Sequence, residues 1–226
     1  MLLFFARAPT VDLRAQALRC RGFAVLKVDN RGSSRRGVAF EAHIHRRLGT
    51  LELNDQAAAV AHLVATGVAD GTRVGIYGWS YGGYLSARAA VRMPHVFRCA
   101  VAGAPVADWR DYDTCYTERC AWGALRFIIN SSLQFFFLLT LPRICFTSDM
   151  GHPSEDGGSH YTASSALTLP SAGGALSPLS LPPSPILIIH GTSDENVHFR
   201  HAARLAGALV AACAPHEMLL FPGAWL

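Results

Sequence analysis

Hydrophobic and polar positions along the chain follow two periods, which together predict helices that alternate with strands. Apolar residues recur at helical spacing in residues 12–21, 51–66, 84–92 and 199–212. Short apolar runs that are typical of buried strands occupy residues 23–29, 73–77, 99–102, 185–189 and 217–221. Strands that alternate with helices favour a mostly parallel sheet with helices on both faces. The pattern therefore predicts an α/β fold.

Two segments interrupt this order. The most apolar stretch of the chain lies within residues 121–149, but polar residues and a proline break it, so we expect no membrane span there. Its composition is unlike the Ala-, Arg- and Gly-rich sequence on either side. We predict an atypical insert, and our hypothesis is that it is translated non-coding sequence. Residues 157–185 are rich in Ser, Gly, Pro and Ala, and we expect a loop or linker.

Composition excludes several classes of protein. The 226 residues are 50% hydrophobic and 16% charged, whereas roughly 25% of residues are charged in an average soluble domain. This balance excludes a disordered chain, a coiled coil and a collagen-like fibre. The net charge of +4 is too small to indicate a nucleic-acid partner, and no nucleic-acid motif accompanies the basic residues.

The six cysteines are scattered, with no CxxC pair and no histidine at the spacing of a zinc site. A disulfide framework belongs to short secreted chains, so we expect free thiols in a reducing compartment. The apolar run at residues 1–5 is too short for a signal sequence. We therefore expect a cytoplasmic protein that needs no metal or cofactor.

The main candidate for chemistry is the motif Gly78-Trp-Ser80-Tyr-Gly82, which follows a predicted strand and precedes a predicted helix. This context is that of a nucleophile elbow, in which a sharp turn holds the serine in a strained conformation above the sheet. A side chain at position 78 or 82 would collide with the neighbouring strand or helix. The N–H of Tyr81, at the start of the helix, is the expected donor to an oxyanion. The alternative is a small-residue turn without catalytic function.

A serine nucleophile needs a base, and the base needs a carboxylate that orients it. In this type of fold the chain order is serine, then an acid, then histidine. Asp194 follows the predicted strand 185–189 on a loop, where the sites of open α/β sheets lie. We therefore predict that Asp194 is the acid. The alternative is a turn-forming residue that caps the helix predicted at 199–212.

Several motifs together resemble a known family. They are Trp109 and residues 28–33 (VDNRGS), 78–83 (GWSYGG), 104–106 (APV), 112–119 (YDTCYTER) and 190–198 (HGTSDENVH). Over residues 11–120 and 150–224 the chain is similar to the catalytic domain of prolyl oligopeptidase-type serine peptidases, in particular the dipeptidyl peptidase IV-like branch. The resemblance implies an α/β-hydrolase fold, with residues 1–120 and 150–226 forming a partial catalytic domain. Its N-terminal strands and its C-terminal end are expected to be missing.

The resemblance also implies an activity and a set of site residues. The implied reaction is acyl-enzyme proteolysis that releases N-terminal dipeptides of a peptide substrate, with Pro or Ala next to the cleaved bond. Ser80 matches the nucleophile, Asp194 the triad acid, and Asn196 a residue that holds the substrate carbonyl. The residues that match the pocket for the Pro ring are Tyr81, Val106, Trp109, Tyr112, Tyr116 and Val197. Apolar and aromatic walls suit a Pro ring because it offers no hydrogen-bond donor.

The sequence departs from the family at the triad histidine. His198 and His201 lie beside Asp194 in the sequence, and His216 begins the last predicted strand, so none of them is an acceptable base. In the family the base follows a run like residues 221–224, and this chain stops two residues after that run. We therefore expect the 226-residue chain to be inactive or nearly so. The family's propeller domain is also expected to be absent.

Two other functions stay open. An esterase or lipase of the same fold is supported by the elbow alone and predicts no preference for Pro. A non-catalytic pseudoenzyme that binds partners or peptides predicts an unreactive Ser80. Without its N-terminal strands the sheet is expected to expose an unpaired edge, which favours instability or self-association into a homo-oligomer.

Overall fold

The computed structural model describes residues 13–33, 36–117, 150, 152, 154–169 and 181–225. Its strands are β1 (Gly75–Trp79), β2 (Cys99–Gly103), β3 (Ile186–Gly191) and β4 (His216–Phe221). Its helices are α1 (Leu13–Cys20), α2 (Val38–Glu41), α3 (Leu51–Ala65), α4 (Tyr81–Arg92), α5 (Thr114–Thr117), α6 (Ser159–Ser164) and α7 (Arg200–Ala211). Short 3-10 helices cover Ala42–Ile44, Trp109–Asp111 and Glu155–Gly158. All four predicted helices and four of the five predicted strands thus have counterparts in the structure.

The strands of the described residues form one parallel sheet in the order β1-β2-β3-β4. Gly75 of β1 lies opposite Cys99 of β2, and Ile186 of β3 lies opposite both Ala100 and His216. Parallel neighbours cannot be joined by a tight turn, so each pair needs a crossover connection. Because the strands are parallel, their carboxyl ends all lie at one edge of the sheet. This confirms the predicted α/β architecture.

The helices bury apolar residues against this sheet. α4 packs on β1 and β2, and α7 packs on β3 and β4. The buried side chains of α7 recur at helical spacing and so form one face: His201, Ala202, Leu205 and Leu209. In β3 the most buried side chains alternate along the strand: Ile186, Ile188 and His190. The same periods that predict these elements therefore also predict which of their sides is buried.

The strand predicted at residues 23–29 is wrong, because this segment forms no strand and only Lys27 makes an isolated bridge. A cavity of about 480 Å³ lies between the segment and β1, lined by Val25 on one side and by Ile76 and Tyr77 on the other. Strands pair when they lie about 4.8 Å apart, and this segment and β1 are separated by the cavity. The apolar run is only partly buried, since Val25 is 2% exposed whereas Phe23 is 53% exposed. None of the candidate site residues lines this cavity.

The loop predicted at residues 157–185 is wrong in part, because residues 159–164 form α6. Tertiary contacts outweigh the Ser-rich composition of this segment. Tyr161 is fully buried, and the carbonyl of Ser164 accepts a hydrogen bond from the Tyr84 hydroxyl at 2.7 Å. These long-range contacts stabilise a short helix that local composition does not favour.

Some expectations concern segments outside the described residues. The apolar segment 121–149 and residues 1–5 both lie there, so the insert hypothesis and the statement on a signal sequence stay predictions. Within the described ranges, no helix is both long enough and apolar enough to cross a membrane.

Cys20, Cys99 and Cys213 are exposed free thiols, as the scattered cysteines predict.

Candidate active site

Ser80 lies in the sharp turn between β1 and α4, with φ 54° and ψ −115°. A positive φ is strained for a residue that carries a side chain. Two backbone hydrogen bonds hold this conformation. The Ser80 N–H donates to the Gly103 carbonyl at 2.8 Å, and the Ser80 carbonyl accepts the Tyr84 N–H at 3.0 Å. The turn therefore fixes a half-buried serine at the carboxyl edge of the sheet.

The turn requires glycine where backbones meet. A Cβ on Gly78 would lie 2.6 Å from the Cα of Gly82 and closer still to its carbonyl atoms. A Cβ on Gly83 would lie 3.0 Å from the Cα of Pro105 and closer to the carbonyl oxygen of Gly103. Carbon atoms normally approach only to about 3.5–4.0 Å, so β1, α4 and the end of β2 pack backbone against backbone. The collision that the sequence predicts at position 78 is therefore with the helix.

The first turn of α4 points its N–H groups toward this site. Tyr81 is the first residue of α4, so its N–H is one of the donors that have no acceptor within the helix. Unpaired N–H groups and the helix dipole stabilise negative charge at a helix N-terminus. The position of the Tyr81 N–H, directly after Ser80, suits an oxyanion donor.

Asp194 follows β3, three residues beyond its last residue Gly191, so it lies at the same sheet edge as Ser80. Only β2 separates β1 from β3, which places these two strands about 10 Å apart. Asp194 Oδ1 accepts the N–H groups of Asn196 and Val197, each at 3.0 Å. Asp194 Oδ2 is buried and has no hydrogen-bond partner among the described residues. One carboxylate oxygen thus orients the side chain, and the other remains an acceptor for a base.

His190 supports the turn that carries Asp194. Its ring is fully buried, and its Nε2 lies 2.8 Å from the Val197 carbonyl, so Nε2–H donates to that oxygen. The same Nε2 lies 3.8 Å from Asp194 Oδ2, which is too far for a hydrogen bond. Burial lowers the pKa of His190, which favours the neutral ring. Sequence reasoning included His190 in a motif but assigned it no role, although its alternation with Ile186 and Ile188 along β3 is the signal of a buried position.

Four aromatic side chains pack together beside the elbow, and we call Tyr81, Trp109, Tyr112 and Tyr116 the aromatic cluster. Trp109 contacts the other three, with ring centroids 5.4 Å from Tyr81 and 5.9 Å from both Tyr112 and Tyr116. Trp109 and Tyr116 are stacked at 13°, whereas Trp109 and Tyr112 meet edge to face at 89°. Burial raises the pKa of Tyr112 and of Tyr116, so both hydroxyls stay neutral at ordinary pH.

The remaining pocket candidates lie around this cluster. Asn196 Oδ1 accepts the Tyr112 hydroxyl at 3.0 Å, which leaves the Asn196 amide N–H groups to donate to a carbonyl. Val106 and Val197 are each 1% exposed and belong to the buried core that contains Trp109. The structure therefore brings together Ser80, Tyr81 and the other aromatic candidates, and joins Asn196 to them through Tyr112.

Residues 9–126 and 138–225 match the prolyl oligopeptidase family. The chain belongs to this family. The elbow, the aromatic cluster and Asp194 all lie within the matched ranges, and the unmatched residues between those ranges lie inside the apolar segment 121–149. The family and the parallel sheet together confirm the predicted α/β-hydrolase fold.

Individual members of the family resemble the chain over most of its length. Dipeptidyl peptidase 8 of Mus musculus is 35% identical over 213 residues, which are 92% of this chain and 20% of that protein. Prolyl endopeptidase FAP of Mus musculus is 32% identical over 190 residues, which are 84% of this chain and 20% of that protein. The crystal structure of Porphyromonas gingivalis dipeptidyl peptidase 4 is 31% identical, with a TM-score of 0.66 over 87% of this chain and 22% of that chain. The chain spans about a fifth of the length of the curated relatives it matches.

This prolyl oligopeptidase family member has three histidines that follow Asp194 in the sequence. His201 lies on α7 with a fully buried ring, and its Nδ1 accepts the Ala107 N–H at 3.1 Å. His216 begins β4 and therefore lies at the amino edge of the sheet, opposite to the site. His198 is exposed, and no hydrogen bond joins it to Asp194 among the described residues. Across all of the residues that the structure describes, no group of three or more His, Cys, Asp or Glu side chains could hold a metal ion.

Proposed function

We propose that this chain forms part of the catalytic domain of a serine peptidase that releases N-terminal dipeptides after Pro or Ala. In this proposal Ser80 Oγ transfers its proton to a base and attacks the carbonyl carbon of the scissile bond. The Tyr81 N–H donates to the oxyanion, and Asp194 Oδ2 orients the base. The base returns the proton to the leaving nitrogen as the C–N bond breaks, and water then hydrolyses the acyl-Ser80 intermediate.

The position of the aromatic cluster directly beside the nucleophile is the observation that carries this proposal. Tyr81 follows Ser80 in the sequence, and its ring lies 5.4 Å from the Trp109 ring. A group held against this cluster is therefore next to the serine that would attack it. Aromatic walls bind an apolar ring by shape and dispersion, and they require no hydrogen bond from it. The bond from the Tyr112 hydroxyl to Asn196 Oδ1, at the rim of the same cluster, supports a role of the Asn196 amide in holding a substrate carbonyl.

We further propose that the 226-residue chain turns over substrate very slowly by itself. Asp194 Oδ2 has no partner within the described residues, and the described histidines on β3, α7 and β4 are engaged with backbone groups. Removal of one triad member from a serine protease leaves only a residual acceleration of about 10³–10⁴-fold over water. We therefore expect activity to depend on an added base.

Added imidazole tests both the proposed peptidase reaction and its dependence on an added base. The purified chain is incubated with Gly-Pro p-nitroanilide, and release of p-nitroaniline is followed as imidazole is increased. We expect a rate that rises with imidazole, is lost in Ser80→Ala and is strongly reduced in Asp194→Asn. Gly-Leu p-nitroanilide, which carries a larger and flexible side chain next to the cleaved bond, is expected to react much more slowly.

Other results would favour other functions. Rapid turnover without imidazole would show that the base is within the chain. Hydrolysis of short acyl esters with no preference for Gly-Pro over Gly-Leu would favour an esterase. Rates that are the same for the wild-type chain and Ser80→Ala at every imidazole concentration would favour a non-catalytic protein.

We also propose self-association, because among the described residues β1 pairs only with β2 and so presents an open edge. Light scattering over a range of protein concentrations tests this, and a constant monomer mass would contradict it. A peptide substrate and a cytoplasmic location stay predictions that belong to the same proposal.

A further inference from the structure

Glu52, a buried acid, contacts the side chain of Tyr81, the residue that follows the proposed nucleophile Ser80. Glu52, the second residue of α3, has no exposed surface. Its Oε1 accepts the Tyr81 hydroxyl and the Gly49 N–H, each at 2.5 Å. Its Oε2 accepts the Thr50 N–H at 3.2 Å. Three donors therefore surround one carboxylate, as a buried charge requires.

The loop that precedes Glu52 is fixed against α4. Arg88, a buried residue of α4, donates from Nη2 to the Gly49 carbonyl at 3.2 Å and from Nη1 to the Ser165 carbonyl at 2.8 Å. Gly49 has φ +74°, and a Cβ there would lie 2.8 Å from Arg88 Nε and closer to the Tyr84 hydroxyl. The loop cannot move away from α4 without breaking these contacts. Glu52 is therefore a rigid support and not a flexible surface acid.

The ring of Tyr81 connects this support to the aromatic cluster. Its hydroxyl bonds to Glu52, while its ring lies 5.4 Å from the ring of Trp109 and 5.4 Å from that of Tyr84. A phenol ring that is held at its hydroxyl presents carbon atoms, and not its polar end, to the neighbouring cluster. Burial raises the pKa of Glu52, and burial together with the nearby Glu52 raises that of Tyr81. The phenol therefore stays protonated and remains the donor of this bond.

We propose that Glu52 is a positioning residue that fixes the Tyr81 ring and thereby restricts the pocket to a compact apolar group, such as a five-membered ring, next to the scissile bond. The proposal rests on the proposed function, since the pocket in question is that of the proposed peptidase. No pattern in the sequence connects Glu52 to Tyr81, which is 29 residues away. The same acid also steadies the start of α4, where the Tyr81 N–H lies next to Ser80.

Ligand selectivity tests this role without requiring turnover. Dissociation constants of glycyl-pyrrolidide and glycyl-piperidide, which carry a five- and a six-membered ring, are measured by calorimetry for wild type and variants. We expect Glu52→Leu to reduce the preference for the five-membered ring about tenfold, the effect of losing one hydrogen bond to a charged group. Tyr81→Phe is expected to cause a similar loss, and Glu52→Leu is expected to add little in the Tyr81→Phe background.

Two further variants separate positioning from a general loss of folding. Glu41 of α2 is another buried helical carboxylate, 6% exposed, and Glu41→Leu should leave the ring preference unchanged. Glu52→Gln keeps an acceptor for the Tyr81 hydroxyl and should restore much of the preference that Glu52→Leu loses. Equal losses in Glu52→Leu and Glu41→Leu, at equal loss of thermal stability, would overturn the proposal.

The NMR signal of ¹³Cζ-labelled tyrosine distinguishes failure of this inference from failure of the proposed function. The Tyr81 signal is assigned by its absence in Tyr81→Phe. We expect it to shift in Glu52→Leu and to stay in place in Glu41→Leu. If wild type shows no preference between the two rings, the proposed function is contradicted. If the Tyr81 signal does not shift in Glu52→Leu, the positioning of Tyr81 by Glu52 is contradicted as well. If wild type prefers the five-membered ring and Glu52→Leu retains that preference, only the role of Glu52 is overturned.

Discussion

The substitution Gly78→Ala tests the packing that holds the elbow. The new Cβ would lie 2.6 Å from the Cα of Gly82 and closer to its carbonyl atoms. All of these are backbone atoms of α4, so no side-chain rotation can relieve the contact. Either β1 or the first turn of α4 must move, and Ser80 lies between them.

The expected cost follows from this geometry. An added methyl group in a packed core destabilises by about 1–3 kcal/mol, and a clash with backbone places Gly78→Ala near the upper limit, at about 3 kcal/mol. A domain of ordinary stability has about 5–15 kcal/mol in total. With a urea m-value of about 2–3 kcal/mol/M, the unfolding midpoint should fall by about 1–1.5 M.

Gly75→Ala in the same strand is the matched control. Its Cβ would lie 3.0 Å from Cys99 Sγ, which belongs to a side chain that can move. We expect a loss of less than about 1 kcal/mol for this variant. Both variants are unfolded in urea and followed by far-ultraviolet circular dichroism. Equal midpoints for Gly78→Ala and Gly75→Ala would refute the argument that backbone contact dictates glycine at the elbow.

Three further substitutions test other parts of the molecule. Gly207 lies exposed within α7 with open space around it, so Gly207→Ala should stabilise by about 0.5–1 kcal/mol in thermal or urea unfolding. Burial lowers the pKa of His201 from 6.5 to about 4. As the pH falls, the unfolded chain therefore takes up a proton at this residue before the folded chain does. The free energy of unfolding should fall by about 3 kcal/mol between pH 6.5 and pH 4. His201→Asn keeps an acceptor for the Ala107 N–H and should make the free energy of unfolding less dependent on pH, as measured by urea unfolding at several pH values. The remaining dependence should include that of His190, whose pKa is shifted in the same direction. Tyr112→Phe removes the hydroxyl that orients Asn196 and should weaken glycyl-pyrrolidide binding about two- to tenfold with little effect on the melting temperature.

Local features of the fold could be predicted from the sequence because their causes are local. The strained turn at Ser80 follows from a strand, a glycine-flanked serine and a helix in immediate succession, and helices α3 and α7 follow from their apolar spacing. The segment 23–29 has an equally clear apolar run, but a strand exists only if a neighbour is within reach. This segment and β1 line a common cavity that separates them, so β1 is not within pairing reach, and no local pattern reveals this separation.

The candidate site could be predicted only in part for the same reason. The aromatic residues from Trp109 to Tyr116 would be interpreted as core packing without the resemblance to the family, since nothing in their spacing places them beside Ser80. The bond from Tyr81 to Glu52 joins two elements whose approach depends on the whole sheet. Contacts between side chains distant in sequence are set by tertiary packing, and single-sequence patterns carry little information about them.

Helix α4 is the element on which the proposed chemistry depends most. Its first residues form the elbow, its Tyr81 ring belongs to the aromatic cluster, and its Arg88 side chain fixes the loop that holds Glu52. A strained residue such as Ser80 persists only where the surrounding structure over-determines its conformation. The burial of α4 on nearly every side provides that constraint, whereas two N–H donors to one oxygen of Asp194 hold the acid side of the site. Ser80, the proposed nucleophile, is therefore positioned by the core of the domain, and Asp194, the proposed acid, by a single turn.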